Sequence, residues 1–99
     1  MDWDTLNRQE ARLIILKALA EQADETLHSG MLRDWLYTFG IRKDRAWVHD
    51  ELAWLADMGA VTLVEAGSVK VATLTEKGHR HLQREIAIEG VKRPSRPGA

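Results

Sequence analysis

Apolar side chains recur along this chain in two rhythms, one helical and one of extended strands. Ile15, Leu16, Leu19 and Ala20 fall on one stripe at helical spacing, with Leu13 and Ala11 beside it. That spacing marks a helix that buries one face. Asn7-Arg8-Gln9-Glu10 has the form of a capping box, so the first helix is expected to start between Asp4 and Asn7. Glu21 to Glu25 is polar and acidic and reads as the end of that helix and a loop. A second helix is expected from Ser29, whose hydroxyl suits a capping role. Leu32, Trp35, Leu36 and Phe39 then recur at i, i+3, i+4 and i+7, and Gly40 suits the left-handed position that closes a helix. Ile41 is expected to plug the core between two helices.

The third helix takes Asp44 as its cap, with Arg45, Ala46 and Trp47 in its first turn. Val48, Leu52 and Leu55 form a buried row, and Trp47, Trp54 and Met58 form a second apolar row. Arg45, His49, Asp50, Ala53 and Asp57 are left on other faces, and Gly59 ends the helix. The rhythm then changes. Val61-Thr62-Leu63-Val64 and Val69 to Leu74 are rich in β-branched residues, and the gap between them contains Gly67. This is a hairpin signal. Thr75 can cap a final short helix from Glu76 to about Ile86. The expected organisation is one domain over residues 1–88, followed by a mobile basic tail over 89–99 that holds two prolines and three cations.

Composition narrows the class. Ninety-nine residues are enough for one core, and 44% apolar with 29% charged is ordinary for a globular domain. No cysteine is present, which excludes disulfides, thiolate metal sites and a cysteine nucleophile. The longest apolar run, Leu13 to Leu16, is far short of the roughly 18 residues of a membrane span. With an acidic Met1-Asp2-Trp3-Asp4 start, the chain is expected to be soluble and cytoplasmic. Net charge is −1, which counts against strong nonspecific DNA binding. The charge is segregated, though: residues 1–41 carry four basic and seven acidic side chains, and residues 42–99 carry ten basic and eight acidic. Segregation of that kind can still produce a basic face.

Three helices, a hairpin and a closing helix make an α+β, mainly α chain in the order of a winged helix-turn-helix. The chain resembles the compact winged helix-turn-helix domains of bacterial and phage transcription regulators of the MarR, ArsR and PadR kind. The residues that carry this are Glu51-Leu52-Ala53-Trp54-Leu55, Met58-Gly59-Ala60-Val61 and Leu74-Thr75-Glu76-Lys77-Gly78. The closing Gly90-Val91-Lys92-Arg93-Pro94 also resembles small proteins encoded in Mu-like prophages. The resemblance implies a nucleic-acid-binding or regulatory role, with double-stranded DNA as partner and a homodimer, for which Trp3 and the Leu82, Ile86 and Ile88 stretch are candidate surfaces; the alternative is that both ends pack back on their own domain.

In such a module the start of the third helix enters the major groove. That start displays Arg42, Lys43, Arg45, Trp47 and His49. Arginine can pair bidentately with a guanine edge, and lysine suits phosphate, so Arg45 is the candidate base contact, with Arg42 and Lys43 on the backbone. Cations at a helix N-terminus oppose its dipole by roughly 0.3–1 kcal/mol each, so three around one cap imply a compensating use. The bland alternative is a solvated helix start. Lys70 is the only cation of the wing strands, and Glu65 near the tip would repel phosphate. Trp35 and Trp54 read as core.

Nothing points to catalysis. His79 and His81 are two apart on a helix and would not share a metal, and His49-Asp50-Glu51 are contiguous and cannot converge. Neither a phosphate-binding glycine loop nor a serine elbow occurs, and no cofactor is expected. Solvated surface is the expected setting of all four histidines. Two functions remain: a DNA-binding regulator, and a winged-helix protein-interaction module using the third helix with Trp47 and Trp54. The fold hosts both.

Overall fold

The computed structural model describes residues 2–96. Helix α1 spans Trp3–Ala20, a short strand β1 Thr26–His28, α2 Ser29–Thr38 and α3 Arg45–Asp57. The wing follows as β2 Val61–Ala66 and β3 Val69–Leu74, and α4 spans Glu76–Leu82. The three strands form one antiparallel sheet in the order β1-β3-β2. This is a winged helix-turn-helix.

The helical stripes sit where their spacing places them. Ala11, Leu13, Ile15, Leu16 and Leu19 of α1 meet Leu32 and Leu36 of α2 and Val48, Leu52 and Leu55 of α3 in one core, which Ile41 closes. Asp44 caps α3 by accepting the Trp47 N–H at 2.9 Å, and Thr75 caps α4 by accepting the Gly78 N–H at 3.1 Å. Gly40, at φ +82°, closes α2: its N–H bonds the Tyr37 carbonyl, and the Ile41 N–H bonds Leu36. That pair of bonds is the Schellman arrangement, and it drives Ile41 inward.

Several expectations are corrected. The cap of α1 is Asp2, which accepts the Thr5 N–H at 2.7 Å, so the helix starts before the Asp4–Asn7 window. His28, not Ser29, caps α2, its Nδ1 accepting from Gly30 and Met31. Phe39 lies on the apolar spacing but is 59% exposed, because the chain leaves the helix there. β1 has no sequence signal, since three residues are too few to show an alternation. Its ladder runs from Thr26↔Thr73 to His28↔Val71. Helix α4 ends at Leu82 rather than Ile86, because Arg84 adopts φ +62° and the Glu85 N–H returns to the Arg80 carbonyl.

The expected mobile tail also behaves differently over its first part. Ile88, Val91 and Pro94 are buried, and the Lys92 N–H bonds the Gln9 carbonyl of α1 at 3.1 Å. A fully buried His81 holds this return segment. Its Nδ1 accepts the Ile88 N–H, so the ring proton sits on Nε2, which donates to the Lys92 carbonyl at 3.0 Å. His81 is thus a core residue, not solvated surface. The tail expected at 97–99 lies outside the described residues.

Candidate nucleic-acid interface

The turn from α2 into α3 presents the predicted cations. Arg42 and Arg45 are exposed and Lys43 is half-buried. Among the described residues none of the three is ion-paired with a carboxylate. Arg45 reaches toward the wing, its Nη1 lying 3.4 Å from the Ser68 carbonyl, so the α3 start and the wing tip share one side of the molecule. Lys43 Nζ lies 5.6 Å from the Trp47 ring centre.

Trp47 is half-buried, and the Arg8 guanidinium of α1 also lies near its ring, 5.5 Å from the centre. His49 is half-buried too. Its Nε2 is 2.8 Å from Ser29 Oγ, and the same fully buried hydroxyl accepts the Lys70 N–H of β3 at 3.1 Å. Ser29 therefore ties α2, α3 and the wing together at one atom. Desolvation, then the charges of Lys70 and Arg45, hold the His49 pKa below its ordinary value. Lys70 Nζ lies 4.0 Å from Glu65 Oε1, so the wing's cation has an acid beside it.

The structure thus brings Arg42, Lys43, Arg45 and Trp47 together at one helix start and sets His49 and Lys70 behind them at the wing junction. The outward stripe of α3 reads Ala46, Asp50, Ala53, Asp57, all exposed. Small side chains there let a helix approach a surface closely, whereas the two carboxylates repel phosphate and can accept only from a donor such as a cytosine amino group.

Two features escape the linear pattern. Arg33 of α2 donates from Nε to the Lys43 carbonyl at 3.1 Å and from Nη2 to Tyr37 Oη at 3.0 Å, bracing the cationic turn. The i, i+4 spacing of Arg33 and Tyr37 is the one local signal for it. Glu51 of α3 is 1% exposed, with Oε2 2.6 Å from Arg8 Nη1 and Oε1 2.7 Å from Arg12 Nε. Arg12 also stacks on Trp54 at 3.7 Å and donates to the Gly90 carbonyl at 3.0 Å. Helical spacing puts 8 and 12 on one face of α1 and 51 and 54 on one face of α3, but only the fold joins these two pairs to each other and to residue 90.

No group of three or more metal-ligating side chains converges among the described residues, and no helix there is long and apolar enough to cross a membrane. No protein-family model matches the chain. Among solved structures it is similar to Sco3205, a MarR family transcriptional regulator from Streptomyces coelicolor solved in complex with DNA. The TM-score is 0.63 at 22% identity over 82% of this chain, which spans about half (52%) of that protein. It is equally similar to hsRosR-S4, solved as a complex, with a TM-score of 0.63 at 18% identity over 80% of this chain and 73% of that one. At these identities the likenesses establish the winged-helix fold alone. In sequence it is 34% identical to the uncharacterized protein gp26 of Escherichia phage Mu over 91 residues, 92% of this chain and 93% of that protein. The chain belongs to the family of phage Mu gp26.

Proposed function

We propose that this chain is a phage- or prophage-encoded, DNA-binding transcriptional regulator. It acts without catalysis or cofactor in the cytoplasm, as a homodimer that sets the start of α3 in the major groove. Arg45 reads a guanine edge, Arg42 and Lys43 hold phosphates, and Lys70 reaches a phosphate from the wing. Trp47 and His49 shape the floor between them.

The observation that carries this reading is that, among the described residues, no carboxylate is ion-paired with Arg42, Lys43 or Arg45 at the start of α3. Charge left facing the helix dipole and unpaired is complementary to a polyanion. That the fold is shared with a regulator solved on DNA supports the same use here. One observation favours the alternative of a protein-interaction module. Asp50 and Asp57 stand on the outward stripe of α3, where an acidic pair suits a basic protein surface better than a phosphate backbone.

Binding to labelled genomic fragments, titrated with salt, separates the two. A DNA reader loses affinity steeply between 50 and 200 mM salt, and Arg45→Glu abolishes its binding. An interaction module binds no fragment at any of these salt concentrations.

A further inference from the structure

The segment after the wing carries a surplus of positive charge that the α3 start does not use. From Glu76 to Arg96 six lysines and arginines stand against three acids, in a chain whose net charge is −1. Half of these cations are engaged. Lys77 Nζ donates to the Met58 carbonyl at 2.7 Å, Arg80 Nε lies 3.8 Å from Glu85, and Lys92 Nζ lies 2.9 Å from Glu10. Arg84, Arg93 and Arg96 are ion-paired with no acid among the described residues.

The fold gathers these three. Arg84 donates from Nη1 to the carbonyl of the buried Pro94, which sets its guanidinium against the stretch between Arg93 and Arg96. Arg93 and Arg96 are exposed on either side of that proline. Burial, then the charges of Arg93 and Arg96, hold the Arg84 pKa below its ordinary value, and no carboxylate acts against them. The backbone beneath is pinned, since the Lys92 N–H bonds Gln9 of α1 and the Lys92 carbonyl accepts from His81. Arg84 also stands at φ +62°, a left-handed position that glycine occupies freely and a residue with a Cβ does not. The dipole of α4 accounts for cations in its last turn, such as Arg80, but not for Arg93 and Arg96, which belong to the return segment. Like charges gathered at a strained position are costly unless an anion completes them.

The path of the return segment says which anion. Arg8 lies against Trp47 and Glu51, and Arg12 against Glu51 and Trp54, so α1 and α3 run in the same direction. Gly90 meets Arg12 and Lys92 meets Gln9, so the return segment runs the opposite way, back toward the start of α1. It therefore heads for the end of the molecule at which α3 begins. We propose that Arg84, Arg93 and Arg96 clamp backbone phosphates of the same DNA duplex, outside the stretch that α3 reads. Guanidinium forks match phosphate oxygens bidentately, and contacts of this kind position a duplex without reading its sequence. The inference rests on the DNA binding of the proposed function and adds a second set of contacts to it.

Anisotropy of a labelled mixed-sequence duplex, titrated with the full-length chain between 50 and 200 mM salt, tests the clamp. Arg93→Ala with Arg96→Ala is expected to lower the slope of log K against log salt by about 1.8, at about 0.9 for each phosphate, and to weaken binding at 100 mM about tenfold. Both residues are exposed, so the melting temperature stays at the wild-type value. Arg84→Gly removes the third guanidinium where glycine is unstrained, and is expected to lower the slope by about 0.9 without lowering the melting temperature. A wild-type slope in the Arg93, Arg96 variant overturns the clamp and leaves the DNA reading standing. A wild-type chain that binds no duplex at any of these salt concentrations overturns both. A slope lowered in the Arg93, Arg96 variant but kept by Arg42→Ala with Lys43→Ala and Arg45→Ala upholds the clamp and overturns the α3 contact.

Discussion

Arg8 and Arg12 on α1 and Arg42 and Arg45 at the start of α3 are the same side chain in opposite circumstances. The first pair is drawn inward onto Glu51, a carboxylate with only 1% exposure, and Arg12 is further held by the Trp54 ring and the Gly90 carbonyl. The second pair is ion-paired with no acid among the described residues and is exposed. Taking a carboxylate out of water costs several kcal/mol, which only well-placed partners offset, so the inner cluster is committed to joining α1, α3 and the return segment. The outer cluster makes no such contribution. Arginine count therefore says little about a basic face; what matters is which cations the fold has left without a counter-charge.

The largest effect falls on the inner cluster. Glu51→Ala leaves Arg12, nearly buried, without its carboxylate, and stability measured by urea denaturation is expected to drop by about 3 kcal/mol. Arg45→Ala, in the same assay, is expected to change it by less than about 0.5 kcal/mol, because Arg45 is exposed and its one hydrogen bond, to the Ser68 carbonyl, is long at 3.4 Å. A large loss from Arg45→Ala would erase the distinction between the clusters. Gly90→Ala comes next. The glycine sits at φ +95°, and a Cβ there would lie 2.6 Å from Trp54 Cζ2, so the return segment must lift from the stacked ring. A destabilisation of about 2 kcal/mol, with a blue-to-red change in tryptophan emission as Trp54 gains water, is expected.

The smallest effect concerns pH. The folded state holds His49 below its ordinary value of 6.5, mainly by desolvation and then by Lys70 and Arg45, against the opposing pull of Asp50 and Glu65. As pH falls below 6.5 the unfolded chain binds the proton more readily than the folded one, so stability declines on acidification and recovers as pH rises again. His49→Gln retains a polar partner for Ser29 and removes the titration. Its melting temperature is expected to fall less than that of the wild type between pH 7.5 and pH 5.5. Equal declines in both proteins would remove His49 from the wing junction's pH response.

Much of the fold was legible in the chain because local rules governed it. Asp44, Thr75 and Gly40 act where capping and left-handed closure require, and the rows of Val48, Leu52 and Leu55 are set by helical period alone. What escaped was decided by distant partners or by lengths too short to show a period. β1 forms because β3 offers it a ladder, His81 is buried because the return segment closes over it, and Ser29 gives up its capping role to a three-element junction. That Arg42, Lys43 and Arg45 would gather at one helix start was legible for the same reason as the caps, because they lie within four residues around the Asp44 cap, and their use on DNA remains the proposal. That Arg8 would be structural was not legible, because Glu51 is 43 residues away.

On the proposed reading, the cations of the α3 start, none ion-paired among the described residues, meet phosphates and bases. Measuring the binding constant against salt for the wild type and for a variant carrying Arg42→Ala, Lys43→Ala and Arg45→Ala tests it most directly. Each lost phosphate contact lowers the slope of log K against log salt by about 0.9, so the variant is expected to lose roughly two units of slope and at least about a hundredfold in affinity at 100 mM salt. A variant with the wild-type slope and affinity would place the contact elsewhere on the molecule and contradict the account.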